Sequence, residues 1–377
     1  MNIKFLDLNK EYLNLKKEID KSISNVLYSS NFIKGNDVLK FEDNLKEYTK
    51  TNNVISCGNG TDALQASLMA YSFPRNSEIL LPSFTYIATA EVISLLGLKP
   101  VFVDVNPLTF NIETKNIESK ITKKTVAIIP VNLYGQSCDI SKIILIAKQF
   151  NLKIIEDNAQ SFGADITLSN KNIVKVGTLS DISTTSFFPS KSLGCFGDGG
   201  AVFTSDYELA KKIRMICNHG QTKKYYHEII GVNSRLDTIQ ASILNVKLKI
   251  LDSQNKKRIK NAEFYNNNLN NENIILPRKS YYSNHIYHQY TIKLNDEKTR
   301  NNLQSYLHEN NIPTVIYYPK PIHLQKAYRY LGYKKGDFIA SEKLSKTVLS
   351  LPIHPELEEK ELIFICRKTN HFFKNLK

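Results

Sequence analysis

No run of about 20 apolar residues occurs anywhere in the chain, so nothing in it reads as a helical membrane span. The opening MNIKFLDLNKEYLNLKKEI also lacks the apolar stretch of a secretory signal, which sets the expectation of a soluble, cytoplasmic protein with no membrane partner. Cysteine is sparse: five residues, at 57, 138, 195, 217 and 366, with no C-x-x-C or other ligand spacing. That odd, scattered set suits free thiols in a reducing compartment and argues against a disulfide scaffold or a structural zinc, so no metal is expected. Internal repeats are absent, as are long linkers and strands that alternate aromatic and basic residues in the way that stacks RNA bases.

What is present is a chain of 377 residues, long enough for one large unit and a smaller one, each with its own core. Lys and Arg number 50 against 36 Asp and Glu, a formal charge of +14 that suits nucleic acid, an anionic membrane or an anionic small substrate. The lysines are scattered and mixed with asparagine, as in KNAEFYNNNLNNENI, which reads as compositional drift and not as a basic face. No nucleic-acid partner is therefore expected.

From about residue 50 to 205, short apolar runs alternate with helical patterns: NVISCG, EILLPSF, KPVFVDV, TVAIIPVN, LKIIEDNA, DISTTSF and GAVFTSD. Continuous Val/Ile-rich runs of this kind predict strands buried on both faces of a mostly parallel sheet, an α/β unit whose ligands sit at the carboxyl ends of the strands. RLDTIQASILNVKLKILDSQNKKRIKNAEFY then predicts one long amphipathic helix with Leu236, Ile239, Ile243, Val246 and Ile250 on its apolar face. The strand-like HQYTIKL, a helix through NNLQSYLHENN and the loop IPTVIYYPKPIHLQ make a smaller α+β unit. The division reads as 1–250 for the large unit and 251–377 for the small one.

Three stretches carry chemistry. CGNGTDALQASLMAY runs from a strand through Gly58, Asn59 and Gly60 into a helix beginning at Thr61, where free N–H groups and the helix dipole favour a phosphate. A plain strand-to-helix turn with Thr61 or Asp62 as N-cap explains the same letters, and neither a Walker loop nor a full G-x-G-x-x-G is present. LKIIEDNAQSFGA ends a buried strand in Glu156 and Asp157, with Gln160 following. A carboxylate there is costly unless something charged meets it, either in a surface pair or helix cap, or at the protonated ring nitrogen of a cofactor. SFFPSKSLGCFGDGG places Lys191 between two phenylalanines and four glycines, where restricted motion and limited water lower an amine's pKa and favour Schiff-base chemistry. A phosphate cradle, an acid for a ring nitrogen and such a lysine, in that order, are what pyridoxal phosphate needs.

Nearly the whole chain resembles the nucleotide-sugar aminotransferases named after DegT, DnrJ, EryC1 and StrS, from FLDL through GNGTDAL, PSFTYIATAEVI, EDNAQSFGA, SFFPSKSLGCFGDGGA and GVNSRLDTIQA to LSLPIHP. The resemblance implies the pyridoxal-phosphate transferase fold of type I, with pyridoxamine phosphate as the intermediate form. It implies that Lys191 holds the cofactor and shuttles the proton, that Asp157 binds the pyridinium nitrogen, that Gln160 faces the phenolic oxygen and that Ala159 lies against the ring. Ser186 with Gly60, Thr61 and Asp62 would bind the phosphate, and Tyr86 would stack on the other ring face. Asn233 would reach the phosphate of the neighbouring subunit's cofactor, which makes the enzyme a homodimer with shared sites. Taken alone, Tyr86 also reads as ordinary core and Asn233 as a helix cap. Arg235, Tyr317, Tyr318 and His323 are the candidate substrate contacts. Asn132 and Tyr317 stand where relatives often carry histidine, both near the expected sugar.

The implied activity is transfer of an amino group, from glutamate, to a ketone on a nucleotide-linked hexose whose diphosphate calls for a basic pocket built partly from the 250–377 unit. The segments look closest to enzymes that aminate carbon 3 of UDP-2-acetamido-3-oxo sugars for lipid A or O-antigen; dTDP-linked 3-oxo-6-deoxyhexoses and 4-keto sugars are the alternative. A sugar dehydratase of the same fold carries histidine in place of the lysine, which Lys191 opposes. A catalytically silent regulatory or binding protein is opposed by the joint retention of Lys191, Asp157 and the phosphate turn.

Overall fold

All seven apolar runs form strands of one sheet in the computed structural model, which describes residues 3–269 and 271–374. The strands are β1 (Asn53–Cys57), β2 (Glu78–Pro82), β3 (Lys99–Val103), β4 (Thr125–Ile128), β5 (Lys153–Asp157), β6 (Ile182–Ser186) and β7 (Gly200–Thr204). Their order across the sheet is β1-β7-β6-β5-β4-β2-β3. The contiguous strands from β6 to β3 pair in parallel, and β7 alone runs against its neighbours on both sides. Helices cover both faces of this mostly parallel sheet, the layered α/β architecture that the sequence resemblance implies. The strands are nearly all buried because both faces are covered. α3 (Gly60–Tyr71), α4 (Ala88–Leu95) and α6 (Tyr207–Ile216) supply one apolar core, and α2 (Asn36–Thr49), α5 (Ile140–Phe150) and α7 (Thr238–Leu248) supply those on the other side.

The long helix predicted from Arg235 onward is two helices. α7 stops at Leu248, Ile250 leaves helical geometry with φ −110° and ψ 0°, and α8 runs Leu251–Asn268. Leu251, buried, turns the chain back into the core with Phe41 and Phe187. The amphipathic pattern also understates how much of α7 is covered. The N-terminal helix α1 (Leu8–Ser29) and α2 both pack on it, so that Ser242, Asn245 and Lys247 are buried along with Ala241 and Leu244. Lys247 is tolerated there because Glu11 of α1 meets its ammonium at 2.9 Å.

The second core gathers around a three-stranded antiparallel sheet, β8 (Ile274–Ile275), β9 (Tyr290–Leu294) and β10 (Val348–Leu351). α8, α9 (Glu297–Glu309) and α11 (Glu359–Lys374) cover it, joined by Ile3 from the start of the chain. One stretch of this half returns to the main sheet: Ile322, Tyr328 and Phe338 pack with Phe102 in the first core, followed by α10 (Ile339–Thr347). That return carries Tyr317, Tyr318 and His323 to the carboxyl ends of β2 and β3. All five cysteines are free and buried, and no described helix is long and apolar enough to cross a membrane.

Candidate active site

The site grows out of the carboxyl ends of β1, β2, β5 and β6. At the end of β5, Asp157 is buried, its Oδ2 accepting from Thr89 Oγ1 at 2.8 Å and its Oδ1 from the Ala159 amide at 3.1 Å. It has no ion-pair partner within reach among the described residues. Burial pushes its pKa up, and the two donors together with the charge of Lys191 only partly counter this. Burial pushes the Lys191 ammonium the other way, down, with Asp157 pulling it back. Each group is thus driven toward its neutral form by desolvation, and each feels the other's charge.

Lys191 owes its setting to a loop that closes on itself. The Phe187 amide donates to Gly199 O at 2.7 Å, the Cys195 amide to Phe187 O at 2.8 Å and the Lys191 amide to Phe188 O at 2.8 Å. A Cβ on Gly194 would sit 2.4 Å from Pro189 O, so only glycine permits this closure. Phe187 anchors the loop from below, its ring 5.3 Å from Phe41 and 6.1 Å from Phe162.

At the other end, α3 starts at Gly60 and its N-cap is Asn59, whose Oδ1 accepts from the Asp62 amide at 2.8 Å. Neither Thr61 nor Asp62 is the cap, because the chain enters the helix one residue earlier than the glycine pattern suggests. The amides of Gly60 and Thr61 are left without a described acceptor at the positive end of a 12-residue helix. A Cβ on Gly60 would lie 2.6 Å from Ser186 Cβ. The missing side chain is what brings Ser186, at the end of β6, against the helix start.

Tyr86 is 57% exposed and so is not core; its ring lies 6.3 Å from that of Tyr318. Gln160 is held at both ends, its Oε1 accepting from the Tyr134 amide and its Nε2 donating to Tyr318 Oη, each at 3.0 Å. The Tyr134 hydroxyl in turn donates to the Tyr317 carbonyl. Asn233 is exposed and bridges to Asn218. The N-cap of α7 is Asp237, so Asn233 caps no helix. Arg235 is half-buried with its Nε unpartnered, and it crowds Lys34, whose pKa burial lowers and Arg235 and Arg214 lower further.

Two expectations need correction. Asn132 does not face an open sugar pocket: it is fully buried, its Nδ2 donating to Glu156 Oε1 at 2.6 Å and its Oδ1 accepting from the Cys138 amide at 2.8 Å. His323 is also buried, with Nδ1 against Ser83 Oγ at 2.7 Å and Nε2 against Glu342 Oε1 at 3.2 Å, which leaves neither nitrogen for a substrate. The basic pocket has two candidates, one of which draws on the small unit as expected. Lys34, Lys211, Arg214, Lys223 and Lys224 line a cleft of about 480 Å³ that takes nothing from residues beyond 250. In a second cleft, of about 610 Å³, Arg278 and Lys279 do meet Lys115 and Lys142. Sequence reasoning missed Thr89, although PSFTYIATAEVI contains it, and missed that Asn132 and Glu156 are a pair.

A profile of the DegT/DnrJ/EryC1/StrS aminotransferase family matches residues 13–369. The chain belongs to this family. It is 43% identical to a pleiotropic regulatory protein of Geobacillus stearothermophilus over the full length of both chains. Identity is 42% to a UDP-2-acetamido-2-deoxy-3-oxo-D-glucuronate aminotransferase of Pseudomonas aeruginosa, covering 97% of this chain and 98% of the relative. It is 41% to a dTDP-3-amino-3,6-dideoxy-alpha-D-galactopyranose transaminase of Aneurinibacillus thermoaerophilus, covering 98% and 99%. Among solved structures, DesV of S. venezuelae in complex with a ketimine intermediate superposes with a TM-score of 0.95 at 35% identity over 100% of both chains. NtdA of Bacillus subtilis with bound pyridoxamine phosphate superposes with a TM-score of 0.91 at 32% identity, covering 99% of this chain and 86% of that one.

The protein is a pyridoxal-phosphate-dependent sugar aminotransferase. The donor set of this family member fits that cofactor. Free amides at a helix start beside Ser186 suit a phosphate, a buried carboxylate with no cation of its own suits a protonated ring nitrogen, and a desolvated lysine amine with no hydrogen-bonding partner suits a carbonyl carbon.

Proposed function

We propose that the enzyme moves an amino group from glutamate to the keto carbon of a nucleotide-linked sugar, with C3 of a UDP-2-acetamido-3-oxo-hexose, for lipid A or O-antigen synthesis, as the first choice. dTDP-linked 3-oxo-6-deoxyhexoses and 4-keto sugars come next. The observation that carries the reading is the geometry at the strand ends: buried Asp157 with its oxygens fixed by Thr89 and the Ala159 amide, Lys191 on a glycine-closed loop, and a helix N-terminus with free amides.

When bound, pyridoxal phosphate supplies the electron sink that makes a C–H proton of the substrate removable. Asp157 would hold the ring nitrogen protonated, its carboxylate already fixed by Thr89 and the Ala159 amide. Lys191, its ammonium destabilised by burial, is free to take and return a proton through Nζ. Gln160, fixed by the Tyr134 amide, would face the phenolic oxygen, while Ser186, Gly60, Thr61 and Asp62 would hold the phosphate, Ala159 would line one ring face and Tyr86 the other. Asn233, exposed in the single chain and capping no helix, reaches the partner's cofactor phosphate in a homodimer. Exposed Leu27, Tyr28, Phe32, Ile33 and Ile230 support an interface near it. The unpartnered Arg235 Nε and the acid-free cleft of Lys34, Lys211, Lys223 and Lys224 support an anionic nucleotide substrate, with Tyr317 and Tyr318 on the sugar side.

The test is spectroscopic. Purified protein with pyridoxal phosphate is yellow, loses the colour on addition of glutamate, and recovers it with one member of a panel of UDP- and dTDP-linked 3- and 4-keto sugars. A sample that binds the cofactor but never changes colour with any amino donor instead favours a regulatory role, the one named for the Geobacillus relative.

A further inference from the structure

Behind the sugar-side tyrosines lies a chain of three polar groups, two buried and the third half-buried, that neither the cofactor nor the proton transfer uses. Ser83 follows β2 and is fully buried. Its amide donates to Val103 O at 2.9 Å and its carbonyl accepts from the Ile322 amide at 2.9 Å. Its hydroxyl meets His323 Nδ1 at 2.7 Å, and His323 Nε2 meets Glu342 Oε1 at 3.2 Å. The same Glu342 oxygen also accepts from the Gly336 amide at 2.7 Å. A carboxylate only accepts, so Nε2 carries the ring hydrogen and Nδ1 accepts from the serine hydroxyl. Burial, which lowers the pKa of His323, keeps the ring in that neutral form against the pull of Glu342.

Serine, histidine and a carboxylate in this order make a nucleophile in hydrolases. Here the serine oxygen has no access to solvent or substrate, so the arrangement works as a fastening. It ties two separate segments of the site together. On one side Ser83 leads through Phe84 and Thr85 to Tyr86; on the other His323 ends the segment that carries Tyr317 and Tyr318. The Tyr318 ring sits between those of Phe84 and Tyr86, at 6.0 and 6.3 Å. A second fastening lies beside the first: Asp104, after β3, accepts from the amides of Ala340 and Ser341, each at 2.9 Å, at the start of α10. Glu342 is on that helix.

The geometry points to His323 as a positioning residue: by joining Ser83 to Glu342 it sets the spacing between the Tyr86 loop and the Tyr317–Tyr318 segment, and so the shape of the wall against which the keto sugar is held. This rests on the functional reading above for what the wall binds. Deleting the link acts chiefly on the sugar half-reaction, because Lys191 and the phosphate cradle hang from other strands and the Thr89–Asp157 hydrogen bond still holds the far end of the Tyr86 loop in place.

The two half-reactions are followed by absorbance on the holoenzyme for wild type, His323→Ala, His323→Asn and Ser83→Ala. The sugar is whichever UDP- or dTDP-linked keto sugar of the panel turns over fastest. In the alanine variants KM for that sugar rises about tenfold or more with kcat within about threefold, and the glutamate half-reaction stays within about twofold of wild type. Asn keeps a polar group near the Nδ1 position and recovers much of the loss. Amide exchange in a peptide spanning 316–324 speeds up in both alanine variants while 186–200 is unchanged. Equal slowing of both half-reactions, an unchanged KM, or losses that simply add in the Ser83→Ala/His323→Ala double variant overturn the proposal. If His323→Ala does not fold, Ser83→Ala and His323→Asn decide by the same criteria. If wild type accepts no sugar of the panel, it is the functional reading that fails, and unchanged exchange at 316–324 then still rejects the fastening.

Discussion

Glu156 stands next to Asp157 in sequence but on the opposite face of β5, fully buried, with one oxygen on Asn132. Burial pushes its pKa from 4.5 up to about 7, with Asn132 first and then the Ser180 hydroxyl and the Gly177 amide pulling only part of the way back. The folded-state value lies above the unfolded one. This group therefore contributes most to stability below about pH 4.5, and that contribution drains away as pH rises through about 7. At about 1.4 kcal/mol per unit the full loss is roughly 3 kcal/mol, of which about 2 kcal/mol falls between pH 5.5 and 8.5. Glu156→Gln cannot ionise and escapes this loss. Any fixed cost of a poorly paired amide hydrogen appears equally at both pH values and cancels when the two are compared. Thermal melts of the holoenzyme at pH 5.5 and 8.5 read the difference. The variant gains roughly 2–4 °C on wild type between the two conditions, since about 1 kcal/mol moves the midpoint of a chain this large by only a degree or two. Parallel melting profiles for the two proteins would refute the assignment of a neutral Glu156. A gain at the lower pH would refute its sign.

Lys191→Ala removes an amine from a loop and leaves the core alone, so it is expected to fold with a wild-type melting profile, to show no covalently held cofactor after borohydride treatment and to have no turnover; measurable transamination would overturn the assignment. Asp157→Asn keeps the shape and the Thr89 contact but cannot hold a proton on the ring nitrogen, so the glutamate half-reaction falls by about 100-fold or more while some cofactor is retained, and wild-type rates would remove the electron-sink role. Mixing Lys191→Ala with Asn233→Ala puts both defects in one site of a heterodimer and none in the other, so activity returns to at most about half of wild type per heterodimer. No recovery on subunit exchange, from an Asn233 variant that is impaired alone, would place Asn233 within its own site.

The sheet was legible because burial on both faces writes itself into sequence as unbroken apolar runs, and a run ending in Glu-Asp or Ser is visible as a strand with something to hold. Lys191 was legible for a related reason: a loop that needs glycine at 194 to close on Pro189, followed by Gly200 passing the Asn59–Gly60 backbone, leaves those glycines in the letters. The hidden parts are those in which polar residues are buried against partners far away in the chain. Lys247 looks like the solvated side of a helix until Glu11 is seen beside it, more than 200 positions earlier. His323 looks like a substrate ligand until Ser83 and Glu342 take both nitrogens. Periodicity reports which faces avoid water, and it cannot report which polar groups have been given a partner instead.

The same distinction explains why two adjacent carboxylates at one strand end have different chemistry. Alternation along β5 sends Glu156 to one face and Asp157 to the other. Glu156 meets an amide, Asn132, which satisfies one lone pair but brings no charge, and desolvation then favours the protonated acid. Asp157 meets a hydroxyl and a backbone N–H, which fix its oxygens, and has Lys191 nearby to oppose desolvation. Were Glu156 also ionised, two negative charges would sit within one strand end of each other, and the field at the ring nitrogen would no longer be set by Asp157 alone. With Glu156 protonated below about pH 7, Asp157 is left as the carboxylate that, in the function proposed above, would answer the positive charge of a protonated pyridine.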